Sequence, residues 1–112
     1  MLTTRSKGES LDSNKTQKIL NLLGLAQRAG RLISGEELVV EAIQKKQAKL
    51  VYLAEDAGPN LRKKITDKSQ TYQIEVVTAF STLELSAAVG KSRKVLAVTD
   101  AGFTKKMRSI ME

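Results

Sequence analysis

The 112 residues include no cysteine and no histidine. The first absence excludes disulfides, thiol nucleophiles and cysteine-ligated zinc or iron–sulfur centres, and suits a chain from a reducing compartment. The second removes the usual general base, the commonest zinc ligand and every Ser-His or Cys-His nucleophile pair. Catalysis then has little to rest on. No catalytic residue, metal ligand or cofactor site is assigned, and the chain is expected not to be an enzyme. Apolar runs fall well short of the roughly 18 residues that mark a membrane span, and the N-terminus shows neither a signal-peptide core nor an amphipathic leader. The expected location is the cytoplasm, with no membrane partner. Aromatic residues are equally scarce, two Tyr and two Phe with no Trp. Tyr52, Tyr72, Phe80 and Phe103 sit mostly in or beside apolar runs, so a base-stacking platform for single strands is not expected.

What is abundant is positive charge. Nineteen Lys and Arg stand against twelve Asp and Glu, a net charge of +7, which favours a polyanionic partner because each neutralised phosphate releases condensed counterions. Over residues 1–13, Arg5 and Lys7 balance Glu9 and Asp12, so the excess belongs to the rest of the chain. That first segment has Met1, Leu2 and Leu11 as its only apolar residues and is expected to be a disordered leader. Residues 14–112 are expected to form a single domain.

Periodicity divides that domain into alternating helices and short strands. Ile19, Leu22, Leu23 and Ala26 recur at helical spacing, with Asn14 and Gln17 as a candidate capping box and Gly30 as a C-cap, predicting a helix over residues 15–29. Arg31-Leu32-Ile33 is extended. Ser34 with Glu37 predicts a second capping box, opening a helix whose stripe is Leu38, Val39, Ala42 and Ile43. Residues 49–54 read as a buried strand, followed by a loop and a helix that starts at Pro59 and runs to about residue 70. A strand at residues 74–77, a helix capped by Ser81 and Glu84 and ended by Gly90, a strand at residues 95–98, and a last helix capped by Asp100 complete the series. Such alternation predicts an α/β fold, a three-layer α/β/α sandwich around a small mixed sheet. The continuous apolar character of the strands at Leu50 and Val95 fits burial on both faces.

Few motifs survive inspection. Gly90-Lys91-Ser92 ends like a phosphate-binding P-loop, but Leu85 occupies the place of its first glycine and the motif follows a helix instead of opening one. Gly30 and Gly35 have the P-loop glycine spacing, but Glu36 and Glu37 stand where Lys and Ser or Thr are required. Glu55 and Asp56 lie at a strand end, where α/β proteins often place ligand-binding groups; without a third acidic residue in the loop they are expected to cap the helix that follows. Basic residues cluster twice: Arg62, Lys63, Lys64 and Lys68 on the third helix, and Lys91, Arg93, Lys94, Lys105, Lys106 and Arg108 towards the C-terminus, where Asp100 is the only intervening acid. The loop portion from Lys91 to Lys94 is expected to contact phosphate, and the third-helix cluster to be a solvated face.

The stretch from Leu25 to Glu37, LAQRAGRLISGEE, followed by AKLVYLAEDA from Ala48 to Ala57 and LSAAVGK from Leu85 to Lys91, closely resembles a ribosomal-protein family that includes the archaeal and eukaryotic large-subunit proteins L-seven-Ae and L-thirty-e. Within that family the chain is most similar to a small bacterial branch. The resemblance covers about residues 14–112. It implies the same α/β/α sandwich, no enzymatic activity, and binding of structured RNA, typically a kink-turn or ribosomal RNA, in a setting compatible with ribosome association and with the chain acting as a monomer. It places the RNA surface on Gly30, Arg31, Ser34, Gly35, Glu36 and Glu37 and on the loop Lys91, Ser92, Arg93 and Lys94. In kink-turn binders of the family the turn reads approximately Gly-Thr-Asn-Glu or Gly-Thr-Lys-Gln with a lysine three residues on. Gly35 matches the glycine, whose freedom lets RNA approach the free amides of a helix N-terminus. Glu36, Glu37, Leu38 and Glu41 depart from the pattern. The acidified turn leaves open an alternative, a protein-interaction module of the same fold without kink-turn recognition.

Overall fold

The structure, a computed structural model, describes residues 12–112. The leader expected over residues 1–13 lies outside the described residues up to position 11, and its last two positions belong to the domain. Asp12 accepts a hydrogen bond from the Lys15 amide at 2.8 Å and caps the first helix, α1 (Ser13–Arg28). Asn14, expected as the cap, lies inside the helix: the carboxylate two residues earlier reaches the N3 amide first.

The chain continues through β1 (Leu32–Ser34), α2 (Glu36–Gln44), β2 (Leu50–Leu53), α3 (Pro59–Tyr72), β3 (Val76–Val77), α4 (Thr82–Val89), β4 (Val95–Val98) and α5 (Ala101–Met111). The four strands form one sheet in the order β1-β4-β2-β3. β4 pairs antiparallel with β1 and with β2, whereas β2 and β3 run parallel, so the sheet is mixed. All eight residues of the two central strands are buried, because helices cover both faces of the sheet. α1 packs with α4 and α5, and α2 packs with α3. The expected α/β/α sandwich is the observed one. Its core brings Ile19 and Leu23 of α1 and Met107 of α5 together with Val39 and Ile43 of α2 and Ile65 of α3 around the strands. Tyr52 and Phe80 meet as a tilted aromatic pair with ring centroids 5.8 Å apart, and the Tyr52 hydroxyl donates to the Met107 Sδ at 3.3 Å. Burial pushes that hydroxyl's pKa well above its ordinary value.

Local signals at the other helix ends divide in an informative way. Ser81 and Glu84 form a complete capping box at α4, and Asp100 caps α5 by accepting from the Phe103 amide at 2.8 Å. Gly90, at φ 78, closes α4 as its C-cap, which settles the Gly90-Lys91-Ser92 stretch as the end of a helix. Asp56 does not cap α3, whose N-cap is Gly58. Its Oδ1 instead accepts from the Thr82 amide at 2.9 Å and from the Thr82 hydroxyl at 2.8 Å, tying the β2–α3 loop to the start of α4. No described helix is long and apolar enough to cross a membrane.

Candidate nucleic-acid interface

The end of the sheet where β1 and β2 finish and β4 begins gathers most of the residues in question. β1 ends at Ser34, and Gly35 follows as the N-cap of α2 with φ 96 and ψ 150, a backbone that side-chain-bearing residues rarely adopt. Its amide donates to the Val95 carbonyl at 3.1 Å, which docks the turn onto the first residue of β4. No side chain caps α2. The expected Ser34/Glu37 capping box is absent, because Ser34 is still in the strand, paired with Leu96, and sits one residue too early to serve as the cap. Its hydroxyl is engaged elsewhere. The Arg93 Nε donates to it at 3.0 Å.

That bond joins the two predicted halves of the site across 59 residues of sequence. Arg93 is held firmly: its amide donates to the Ser86 Oγ at 2.9 Å, its carbonyl accepts from the same hydroxyl at 3.1 Å, and its Nη1 donates to the Ser92 carbonyl at 2.7 Å. The loop is also anchored just beyond β2, where the Ala54 amide donates to the Lys94 carbonyl at 2.8 Å. Lys91, Ser92 and Lys94 are exposed around this half-buried arginine. The result is a helix N-terminus whose first-turn amides are left uncapped, flanked by the Arg93 guanidinium, with Lys91 and Lys94 exposed in the same loop. Both the helix macrodipole and the cations favour an anion there.

Two predicted residues lie elsewhere. Gly30 and Arg31 precede β1, at the opposite end of that strand. Arg31 Nε is 3.9 Å from the Asp100 carboxylate, and the Arg31 carbonyl accepts from the Thr99 amide. Since strands rise about 3.3 Å per residue, a strand of this length holds the two groups roughly 10 Å apart.

Two carboxylates of α2, Glu36 and Glu41, are partnered in ways that sequence inspection missed. Glu36 accepts from Lys64 of α3 at 2.7 Å, and Glu41 pairs with Lys45 one turn along α2 at 2.9 Å. The hydrogen bond and charge of Glu36, with a smaller contribution from Glu37, raise the Lys64 pKa above its ordinary value. Lys64 was expected on a solvated face. The i,i+4 spacing of Glu41 and Lys45 was a readable signal, but the Glu36–Lys64 contact depends on how α2 and α3 pack and has none. Leu38, which follows the acidic pair, is 58% exposed.

Fold and site together define a small α/β/α domain in which a glycine-led helix N-terminus lies beside a basic loop. Residues 17–108 match the Ribosomal protein L7Ae/L30e/S12e/Gadd45 family, and the chain belongs to it. It is 43% identical to the RNA-binding protein YlxQ of Enterococcus faecium, over 91% of this chain and 99% of that protein. With the RNA-binding protein YlxQ of Bacillus subtilis (strain 168) it shares 46% identity over 81% of this chain and 92% of the relative. Among solved structures, a protein of unknown function from Bacillus halodurans superposes with a TM-score of 0.79 at 46% identity, covering 84% of this chain and 96% of that one. The Giardia lamblia 15.5kD RNA binding protein shares the fold at a TM-score of 0.78 with 16% identity, covering 98% and 94% of the two chains.

Proposed function

We propose that this protein binds structured RNA by contact alone, through the N-terminus of α2 and the loop from Lys91 to Lys94, and that its target contains a bend of the kink-turn type. The observation that carries this reading is the Arg93–Ser34 hydrogen bond, which sets a fixed guanidinium beside the uncapped amides of α2. A phosphate or a base acceptor placed there meets backbone donors and Arg93 together, with no rearrangement of the loop to be met on binding. Two relatives covering most of the chain are named RNA-binding proteins, and that supports extending the activity to this chain. The pairing of Glu36 with Lys64 removes much of the repulsion that an acidic turn would otherwise offer to phosphate. A cytoplasmic setting within translation suits such a protein.

The test compares a kink-turn RNA with the same RNA lacking its sheared G·A pairs, by gel shift or fluorescence anisotropy. Tighter binding to the first is expected, and Arg93→Glu should weaken both. Equal binding to the two RNAs would sink kink-turn specificity while leaving RNA binding intact. One observation favours a second reading: Leu38 exposes a large apolar side chain on the same turn, as a protein-docking surface would. That reading predicts no RNA shift at physiological salt.

A further inference from the structure

We propose that the RNA surface does not stop at the α2 turn but continues along α3, where Lys64 and Lys68 hold the phosphodiester backbone of the RNA stem flanking the contacted bend. This rests on the RNA-binding reading above and extends it to a helix outside the predicted site. The link is physical: Lys64 Nζ lies 2.7 Å from the Glu36 Oε2 in the first turn of α2, so the α3 face starts where the turn ends. Asn60, Lys64 and Lys68 succeed one another at four-residue intervals and therefore form one stripe. With Lys63, Asp67 and Thr71 they line a shallow open groove of about 400 Å³. Asp67, the acid in this groove, is taken up by Lys63 at 3.1 Å. Among the described residues no carboxylate lies within ion-pair distance of Lys68. From Asn60 to Lys68 the stripe extends about 12 Å along the helix axis, a length suited to several consecutive phosphates. The side turned to the core is Ile65 and Ser69, whereas Asn60 and Lys64 are exposed and Lys68 is half-buried. Lys64 and Glu36 are both substantially exposed, at 50% and 42%, and in so open a pair the ammonium, with three donors, can reach a phosphate while staying beside the carboxylate.

Fluorescence anisotropy across a salt series tests this with two RNAs that share the same bend and differ only in whether the flanking stem is long or trimmed. Lys64→Ala alone would bare the Glu36 carboxylate, so the informative pair is E36Q against E36Q/K64A, with K68A measured against wild type. On the long-stem RNA, E36Q/K64A should bind about fivefold more weakly than E36Q, K68A about fivefold more weakly than wild type, and each lost lysine should reduce the salt slope by about one. On the trimmed RNA each variant should match its parent. If E36Q and E36Q/K64A bind the long-stem RNA equally and K68A matches wild type, the proposal is overturned and Lys64 serves only to neutralise Glu36. Wild-type protein that binds neither RNA overturns the RNA reading itself. Wild-type binding to both RNAs with no gain from the long stem overturns this extension alone.

Discussion

Gly35 links the fold to the proposed RNA site, and the two demands on it can be separated. A Cβ built there would meet the Arg93 Nε no closer than 4.0 Å, so space is available; what opposes a side chain is the φ of +96. Gly35→Ala is therefore expected to cost about 1–3 kcal/mol through backbone strain, seen as a lower midpoint in urea denaturation, and to weaken RNA binding by displacing the α2 amides. A variant as stable as wild type would mean that the turn relaxes freely. Asp56 makes a second residue-scale case. The Thr82 hydroxyl and then the Thr82 amide donate to its carboxylate and hold its pKa below the ordinary value. Because the folded value is depressed, the stabilisation is present above the unfolded pKa and disappears as pH falls through the folded one. Asp56→Asn should accordingly be less stable than wild type at neutral pH, and the gap between their urea midpoints should close as pH drops below about 4. A gap that persists unchanged at pH 2 would show that the charge of Asp56 contributes nothing.

At the scale of elements, α4 shows what local sequence determines. Its capping box joins Ser81 and Glu84 reciprocally, the Glu84 amide donating to the Ser81 hydroxyl at 3.1 Å and the Ser81 amide to the Glu84 carboxylate at 2.9 Å. Ser81→Ala should cost about 1 kcal/mol in chemical denaturation, and because α4 carries Ser86, the anchor of Arg93, it should also loosen the loop from Lys91 to Lys94. The same Ser-x-x-Glu spacing at Ser34 and Glu37 promised an identical cap and formed none. The difference is tertiary: Ser34 was recruited into β1 and by Arg93, a residue 59 positions away. Strands, helices and the layered fold were legible because they depend on short-range periodicity and on continuous apolar runs such as Leu50–Leu53. The two halves of the candidate site were legible through family resemblance and through the helix terminus with its basic loop. Their joining by Arg93 and Ser34, the move of Asp56 to α4 and the Glu36–Lys64 pair were not, since each is set by which elements the sheet order places side by side. For Gly30 and Arg31, closeness in sequence to the turn concealed the length of β1, which sets them at the other end of that strand.

For the molecule as a whole, the net charge of +7 matters less than its division between the two ends of the sheet. The C-terminal basic stretch, continuous in sequence, is split by β4: Lys91 to Lys94 precede the strand beside the α2 turn, whereas Lys105 and Arg108 follow it and line a pocket with Lys49, just before β2. The Lys94 carbonyl meets Ala54, just after β2. The two groups are thus separated by about the length of that strand, some 13 Å, which exceeds the Debye length of about 8 Å at physiological ionic strength. Charges at the far end should therefore contribute little to RNA held at the turn. If Lys91, Arg93 and Lys94 each neutralise one phosphate, a slope of about −0.9 per contact lowers affinity about fortyfold between 50 and 200 mM salt. Lys91→Glu with Lys94→Glu should flatten that dependence and cut affinity at every salt concentration. Lys49→Glu with Lys105→Glu introduces the same change in net charge at the opposite end and should leave the slope unaltered, with affinity within about threefold of wild type. Equal losses from the two double variants would mean that RNA responds to the overall charge of the protein and that the α2 turn has no privileged position. A loss confined to the Lys91 and Lys94 variant ties binding to the geometry that Arg93 and Ser34 create.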